Sequence, residues 1–400
     1  MTSYEKGLEK NIVKYSWFKI FTKRLYLPII AIQLVNVGKV SLEQLAIIAS
    51  VTSIVTILLQ IPTGYIADKW GNKVAILIGS VITTISPLFY IFMPNFVGGM
   101  AASVLFFGGY TFSSGAIEAF MHDTLSALNR AGDYSKVMGR AQSYGLFGNV
   151  ILIAIVPATY AINTNLPFII GFISLAIMTW LASIFTYPKS VIQSQPKSRS
   201  AAIKGIINSR NIVLFIFAGF LGAVANKAPE YRELLYQNLG IATSLFGVLV
   251  AIGSLAGVLM GLYIHRLDRL NPSTFYLFDV TFISSCLIIS GVFSNQIFAV
   301  IGFVLFSAYG RVRMIVFQSK MLSNLQHVYK ATLLSTLSMF TAVIEIGVAF
   351  SIVGIINMTN YSLGYALFGC LTLLVGLILW LVILIEGKTD GFKKIKRNAV

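Results

Sequence analysis

Long apolar stretches separated by short polar breaks run along the whole chain. The stretches are apolar on all sides instead of at every second residue, which predicts helices and argues against a β-barrel. A helix needs about 20 mostly apolar residues to cross a bilayer. Turn-forming residues fill the breaks, as in Met93-Pro94-Asn95. The twelve predicted spans, numbered in chain order, are 16–38, 43–66, 74–93, 96–118, 138–160, 165–187, 210–230, 243–264, 272–292, 295–318, 331–356 and 361–385.

The composition agrees with a chain that is embedded in lipid. Of its 400 residues, 56% are hydrophobic and only 11% are charged, whereas about 25% of a soluble domain is charged. Too few polar side chains are present to cover a water-exposed surface, so we expect membrane lipid around most of it. Met1–Tyr15 carries charges without an apolar run, so no cleaved signal peptide is expected and the first span is retained.

The basic residues predict the orientation of the spans. A formal net charge of +16 would suggest nucleic acid as the partner of a soluble protein. Here most Lys and Arg residues lie in alternate connecting segments, as the positive-inside rule requires, so no nucleic-acid partner is expected. Both termini are predicted to be cytoplasmic, in a multi-pass protein of the cytoplasmic (inner) membrane. The long basic segment 188–209 is predicted to be a cytoplasmic linker between two halves, 1–187 and 210–400.

A polar loop follows span 2, with the sequence Gly64-Tyr65-Ile66-Ala67-Asp68-Lys69-Trp70-Gly71-Asn72-Lys73. Gly64 allows a neighbouring helix to approach closely, and Gly71 permits a tight turn. Asp68 can accept backbone N–H groups at a helix start or pair with a cation. A partial copy follows span 8 as Gly261-Leu262-Tyr263-Ile264-His265-Arg266-Leu267-Asp268.

This loop resembles the loop 2–3 signature of the major facilitator superfamily. Asn72 stands where that family usually has a basic residue. The resemblance covers essentially the whole chain. It implies an all-α membrane protein of two six-helix bundles related by pseudo-two-fold symmetry, which rock around a central solute site. It also implies that the loop is a conformational latch that does not touch substrate. The latch residues that match are Gly64, Asp68, Lys69, Gly71 and Lys73.

Ionisable residues inside the first half are candidates for function, because charges in lipid are costly and turn toward a cavity or a partner. Lys23 and Arg24 lie about 10 Å deep in span 1, at 1.5 Å per residue. They point in different directions, and at least one is expected to face the cavity. Glu118, at the end of span 4, falls at a similar depth. We predict an ion pair between Glu118 and Arg24 or Lys23, with either a structural or a gating role.

The second half carries further candidates on spans 10 and 11. Arg311 lies near the midplane and is predicted to face the cavity, whereas Arg313 faces nearly the opposite side. Glu345, at the middle of span 11, is a candidate proton carrier or the partner of one of these arginines. Tyr110 on span 4 and Tyr309 on span 10 are candidate aromatic walls of the cavity.

Two other polar regions are expected to be mainly structural. Residues 226–233, at the external end of span 7, are interpreted as a solvated helix end, with an outer gate as the alternative. Asp279 lies on span 9, which the family resemblance places at the periphery. It is predicted to pair with Arg266 or Arg269 near the inner surface.

Several function classes lack sequence support. No Gly-x-x-x-x-Gly-Lys loop is present, which argues against pumping driven by ATP. The three histidines and two cysteines have no metal-ligand spacing, so no metal and no cofactor are expected. No nucleophile–base pattern is evident, so the chain is not expected to be an enzyme.

The leading hypothesis is a proton-coupled exporter of a small organic solute, with Glu345 or Glu118 taking up the proton. Drug–proton antiporters of the family usually carry Gly-Pro in span 5, and Pro157 follows Val156 here, which counts against export. The alternative is a proton-coupled importer of an anionic metabolite, favoured by the embedded arginines. A non-transporting membrane receptor is the alternative from another class. The expected partners are a small-molecule substrate, protons and membrane lipid, and a monomer is expected.

Overall fold

The computed structural model describes residues 2–188, 209–322 and 330–398. Within these ranges the regular structure is helical and contains no β-strand. Eleven helices there are long and apolar enough to cross a membrane, and Leu27–Val37 is a shorter apolar helical segment. The predicted all-α membrane fold is therefore confirmed.

The first half contains spans 1 to 6. Span 1 consists of the helix Ser3–Phe21, a break, the 3₁₀ turn Leu27–Ile29, the short helix Ile30–Ile32 and the π-helical turn Gln33–Val37. Span 5 continues beyond its α-helix as a 3₁₀ segment, Val156–Ala161. The α-helices of spans 2 to 6 are Leu42–Trp70, Asn72–Phe92, Phe96–Ala127, Tyr134–Ile155 and Leu166–Ser183.

The second half contains spans 7 to 12. Span 7 consists of the helix Ser209–Lys227, the 3₁₀ turn Ala228–Tyr231 and the helix Arg232–Asn238. A short helix, Ile264–Asp268, joins spans 8 and 9. The helices of spans 8 to 12 are Phe246–Leu262, Pro272–Val292, Gln296–Leu322, Lys330–Met358 and Tyr361–Asn398.

Polar residues in the breaks begin the helices that follow them. At the start of span 2, the Ser41 hydroxyl accepts from the Gln44 backbone N–H, and the Gln44 side chain accepts from the Ser41 N–H. This reciprocal pair satisfies two donors that a helix start would otherwise leave unpaired. Asn95 caps span 4 by accepting from the Gly98 N–H at 3.0 Å. These local signals explain why the sequence located most helix starts within a few residues.

Spans 1 and 7 differ from their predictions because each contains a proline-bearing 3₁₀ turn. Pro28 and Pro229 occupy the first or second position of those turns. Proline has no N–H to donate and disfavours continuation of the preceding helix. In span 7 the chain continues as a helix to Asn238, eight residues beyond the predicted end at 230. Irregular backbone at membrane depth is tolerated only where protein or water surrounds it, so both breaks indicate interior positions.

The described residues fall into two units. The first contains those of Met1–Gln195 together with Ala242–Ala251, and the second those of Pro196–Ile241 and Ile252–Val400. The predicted linker, residues 188–209, lies outside the described residues except at its two ends. Its assignment as a cytoplasmic linker stays a prediction.

Close glycine contact holds spans 3 and 4 together in the first unit. A Cβ atom built on Gly109 would lie 2.5 Å from the Gly79 carbonyl oxygen, and a Cβ on Gly79 would lie 2.5 Å from the Gly109 oxygen. Only glycine at these two positions allows the backbones to approach this closely. Such close approach at small residues is a common way for membrane helices to pack. This packing fixes the rotation of span 4, which carries most of the cavity residues described below.

Candidate functional site

Arg24 lies in the break of span 1 and is buried, with 9% of its surface exposed. Its Nη2 donates to the Tyr90 hydroxyl at 2.8 Å. Four rings surround the guanidinium, and their centroids lie 4.5 to 5.9 Å from its Cζ atom. Aromatic faces attract cations, so the rings partly replace lost hydration. In order of increasing distance, the rings belong to Phe106, Phe107, Tyr90 and Tyr26.

No carboxylate pairs with Arg24 among the described residues. Its Nε is buried without a hydrogen-bond partner, and its charged neighbour Lys23 is exposed. Glu118 is also exposed, and its charge acts on Lys19 and Tyr15. The predicted ion pair between Glu118 and Arg24 is therefore wrong for this structure, because the break turns the guanidinium toward span 3 instead. The alternative pair with Lys23 stays a prediction.

A cavity of about 460 Å³ lies between spans 2 and 4 in the first unit. Tyr110, a predicted cavity residue, lines it with 46% of its surface exposed. No atom lies within 4 Å of a Cβ built on Gly64 or Gly115, so both glycines border open space. The volume is typical of small-molecule sites. The described lining is uncharged, and its hydroxyl and amide side chains belong to Thr56, Gln60, Thr63, Asn72, Tyr110, Thr111 and Ser114.

One face of span 4 joins this cavity to the rings around Arg24. Its residues recur at the spacing of a single helix face and are exposed or partly exposed. Polar groups avoid contact with lipid tails, so this face is suited to a water-filled path. The face consists of Phe107, Tyr110, Thr111, Ser114 and Glu118.

Glu345 lies in a polar cluster with three residues from span 7. Its Oε1 accepts from Asn226 Nδ2 at 2.7 Å, and its Oε2 lies 3.6 Å from Lys227 Nζ. The same Nζ lies 3.0 Å from Glu230 Oε1. Lys227 is 6% exposed, and the Glu345 side chain is 12% exposed. The predicted pairing of Glu345 with Arg311 or Arg313 is therefore wrong, because span 7 supplies the cation.

Two further residues of the predicted solvated helix end are also buried. Arg232 and Glu233 are 8% and 5% exposed and form an ion pair with each other. Arg232 Nη1 also donates to Ser307 on span 10 at 3.5 Å. The solvated interpretation is wrong for Lys227, Arg232 and Glu233, because the chain continues here as a helix inside the second unit, whereas Asn226 and Glu230 are exposed.

Asp279 accepts two hydrogen bonds from Arg313, at 2.8 and 2.7 Å. The Tyr309 hydroxyl donates to the same carboxylate at 2.8 Å. All three residues are at most 1% exposed. The predicted partners of Asp279, Arg266 and Arg269, are wrong, and Tyr309 lies in the core instead of lining a cavity. Span 10 is rotated so that Arg313 and Tyr309 face span 9.

Arg311 points away from this triad and is exposed. Its Nη2 donates to the Ser254 hydroxyl on span 8 at 2.7 Å. Within the described part of the chain it has no carboxylate partner. Its role as a cavity residue stays a prediction, and its exposure is compatible with that role.

The predicted latch loop is helical except at Gly71, where the helices of spans 2 and 3 meet, and its described contacts lie inside the first unit. Gly71 has φ +90°, a backbone conformation that favours glycine, and a Cβ there would lie 2.6 Å from the Tyr187 hydroxyl. Lys73 Nζ donates to the Phe185 carbonyl oxygen at 2.6 Å, so it caps the end of span 6. Lys69 is exposed, and the side chain of Asp68 lies outside the described residues. The latch role of this loop stays a prediction.

The N-terminal helix, Ser3–Phe21, is hydrogen-bonded to the end of span 6. Lys14 Nζ donates to the Ile184 carbonyl oxygen at 2.5 Å, and Asn11 exchanges hydrogen bonds with the Thr186 backbone. Two lysines therefore hold the end of span 6 on the side predicted to be cytoplasmic.

No group of three His, Cys, Asp or Glu side chains in the described ranges is placed to hold a metal ion. His327 lies outside those ranges. Cys286 is buried and Cys370 is exposed, and both are free.

Sequence reasoning missed the roles of three residues that complete the sites. Tyr90 lies on span 3, and no local pattern marks its contact with Arg24. Lys227 and Asn226 were assigned to a solvated end, because the polar and charged residues of segment 226–233 gave no local signal of burial. Their partner Glu345 is more than 100 positions away, so no spacing rule connects them.

A family model described as Major Facilitator Superfamily matches residues 16–341. Among curated proteins, the chain is 22% identical over 230 residues to the uncharacterised MFS-type transporter YxaM of Bacillus subtilis, which covers 54% of this chain and 56% of that protein. It is 25% identical over 264 residues to an uncharacterised MFS-type transporter of Methanocaldococcus jannaschii, covering 61% and 67%. The match thus spans about half the length of the Bacillus relative.

Solved structures of low sequence identity share the fold. The nucleoside transporter NupG superposes with a TM-score of 0.74 at 14% identity, covering 96% of this chain and 99% of that chain. A D-xylose–proton symporter superposes with a TM-score of 0.67 at 14% identity, covering 94% and 98%. At such identities the likeness concerns the fold alone.

Proposed function

Because this chain belongs to the Major Facilitator Superfamily, we propose that it is a membrane transporter that moves a small organic solute by alternating access, coupled to protons through Glu345. The family model covers most of the chain. The coupling ion, the solute class and the direction of transport are parts of this proposal.

The observation that carries the proposal is the sharing of Lys227 between two carboxylates, Glu345 and Glu230. Together these three side chains have one positive and two negative charges when all are ionised. A single proton on Glu345 therefore makes the cluster neutral. Lys227 then keeps Glu230, at 3.0 Å, as its counter-ion. Protonation of Glu345 thus leaves no buried cation without an anion.

The other buried acids of the second unit cannot be protonated without leaving a buried cation unpaired. Asp279 is the carboxylate of Arg313, and Glu233 is that of Arg232. A proton on either acid would leave a buried arginine without its counter-ion, and breaking a buried pair in this way costs about 3–5 kcal/mol. We therefore assign these two pairs a structural role and Glu345 the proton.

Coupling follows from the position of the cluster beside the break of span 7. Glu345 on span 11 contacts Asn226 and Lys227, the last residues before the 3₁₀ turn Ala228–Tyr231. Protonation weakens the attraction between spans 11 and 7, and deprotonation restores it. A change of this kind can bias a two-state rearrangement. The membrane potential supplies about 2.3 kcal/mol per charge for each 100 mV.

The solute path in this proposal includes the 460 Å³ cavity between spans 2 and 4. Its hydroxyl and amide side chains can bind a polar solute without holding it by charge. Glu118 lies on the same face of span 4 and is the second candidate for proton uptake. The segment Gly64–Lys73, at the junction of spans 2 and 3, is proposed to act as the conformational latch.

The test is a flux screen in proteoliposomes with an imposed pH gradient. Wild type is expected to accumulate or release its solute according to the gradient. Glu345→Gln should abolish that dependence but retain solute exchange without a gradient, because exchange needs no net proton movement. Asp133→Asn is the control, since Asp133 is an exposed residue paired with Arg130. Glu118→Gln is measured in parallel. Unchanged gradient dependence in Glu345→Gln would remove the assigned role.

Export is the direction predicted from the sequence, and uptake of an anionic metabolite is the second candidate. Arg24 and Arg311 favour the second candidate, because neither has a carboxylate partner in the described structure. The same screen decides between them. An exporter expels the solute against its gradient from the side that corresponds to the cytoplasm, whereas an importer accumulates it there.

A further inference from the structure

Arg24 differs from the other buried cations of the described spans. Lys227, Arg232 and Arg313 each have a carboxylate within 4 Å. Arg24 is buried to a similar degree, but the groups that interact with its guanidinium are the neutral hydroxyls of Tyr90 and Tyr26. A buried charge is normally paired or coordinated, so this position calls for an anion that the described chain does not supply.

The guanidinium also retains unused binding capacity. Its Nε is buried and without a partner, while the Tyr90 hydroxyl accepts from Nη2 and the Tyr26 hydroxyl also interacts with the guanidinium. Arginine presents five donors in a planar fork that matches a carboxylate or phosphate in two parallel hydrogen bonds. The surrounding rings hold the cation in place but cannot accept these hydrogen bonds with comparable strength. The site is thus built for an anionic group.

A route from this site to the cavity runs along span 4. The ring centroid of Phe107 lies 5.3 Å from Arg24 Cζ, and 38% of the surface of Phe107 is exposed. Tyr110 follows one turn later, about 4.5 Å along the helix axis, and lines the cavity. A molecule with its charged group at Arg24 would therefore place its uncharged body beside these rings and the hydroxyl groups beyond them.

We propose that the transported solute carries a carboxylate or phosphate group and that Arg24 binds it. This inference rests on the proposed transport function and names the class of solute. The second unit offers independent support, because Arg311 is exposed and donates to the Ser254 hydroxyl, with no carboxylate partner among the described residues. In each unit, an arginine within the spans thus has a hydroxyl partner in place of an acid.

The test measures thermal unfolding of the purified full chain in nanodiscs of phosphatidylcholine, at constant ionic strength. The probes are matched pairs that differ in charge: benzoate with benzamide, succinate with succinamide, and glucose 6-phosphate with glucose. At least one anionic probe is expected to raise the unfolding temperature in a saturable way, and its neutral counterpart should not.

The variants separate binding by Arg24 from general charge effects. Arg24→Gln should weaken the apparent affinity for the active anion about tenfold or more, and Arg24→Lys should restore part of it, since lysine keeps the charge but lacks the fork. Tyr90→Phe keeps the guanidinium and should cause a smaller loss, which provides a readout even if Arg24→Gln folds poorly. Arg140→Gln, at an exposed position of span 5, should bind as wild type does.

Several outcomes would overturn the inference. They are the absence of a shift with every anionic probe, an equal shift with the neutral counterparts, or full affinity in Arg24→Gln. A second arm replaces part of the phosphatidylcholine with phosphatidylglycerol and omits the probes. Stabilisation there that depends on Arg24 would identify a lipid headgroup as the ligand, and would equally overturn the solute assignment.

The result is separable from that of the transport test. Gradient-driven flux of neutral solutes without any anion binding would remove only the anion assignment. Anion binding at Arg24 without flux that responds to a pH gradient would remove only the proton-coupled function.

Discussion

Removing the charge of Asp279 should destabilise the protein much more than removing the charge of Glu345. The two substitutions, Asp279→Asn and Glu345→Gln, each replace a membrane-embedded acid by its amide. Asp279 is the carboxylate of Arg313, which is 1% exposed and donates to it at 2.8 and 2.7 Å. Loss of one partner from such a pair costs about 3–5 kcal/mol, because the remaining charge stays buried without compensation.

The corresponding cost at Glu345 is smaller because its cation has a second partner. After Glu345→Gln, Lys227 still lies 3.0 Å from Glu230. The amide oxygen of glutamine can accept from Asn226 as the carboxylate does now, at 2.7 Å. The loss is then close to that of one ordinary hydrogen bond, about 1 kcal/mol.

The assay is equilibrium unfolding in mixed detergent micelles, which yields the change in unfolding free energy for each variant. A third variant replaces both partners of the first pair, with Asp279→Leu and Arg313→Met. It should recover most of the loss, because removal of both charges leaves neither one uncompensated. Costs within 1 kcal/mol of each other for Asp279→Asn and Glu345→Gln would refute the argument that assigns the proton to Glu345.

Three further predictions concern packing and the latch loop. Gly109→Ala should destabilise the first unit by about 1–3 kcal/mol, since its Cβ would lie 2.5 Å from the span 3 backbone. Gly115→Ala should be tolerated, because nothing lies within 4 Å of its Cβ. The unfolding free energies of the two variants are compared directly. Gly71→Ala should lower the unfolding free energy by about 1 kcal/mol or more, because the backbone φ there is +90°. A variant as stable as wild type would contradict this prediction. Lys73→Met should lower the unfolding free energy by about 1 kcal/mol, because the Phe185 carbonyl would lose its hydrogen bond. The readout is faster hydrogen exchange at the end of span 6, and the control is Lys69→Met, at an exposed position.

The helices themselves were accessible from local sequence information. A run of apolar residues long enough to cross lipid has few alternatives to a helix, because no water is present to satisfy free backbone groups. The polar breaks also carry their own start signals, such as Ser41 with Gln44. The same locality explains two boundary errors, since Pro28 and Pro229 interrupt spans without ending them. Whether a proline ends or only bends a helix depends on what surrounds it.

The ion pairs were not accessible in this way. Depth along a span can be counted from the sequence, and it placed Glu118 beside Arg24 and Glu345 beside Arg311. Depth does not specify the direction in which a side chain points, which depends on the rotation of each helix about its axis. Arg24 faces Tyr90 and Glu345 faces Lys227 because of helix rotations that only the packed neighbours determine.

The sequence by itself determined an all-helical membrane chain and the family to which it belongs, because hydrophobic length and loop motifs are properties of contiguous residues. The tertiary structure alone decided which embedded charges neutralise one another. That choice depends on contacts between residues far apart in the chain, such as Asp279 with Arg313 and Lys227 with Glu345. It also left Arg24 among aromatic rings without an acid, which no reading of the local sequence around it would have predicted.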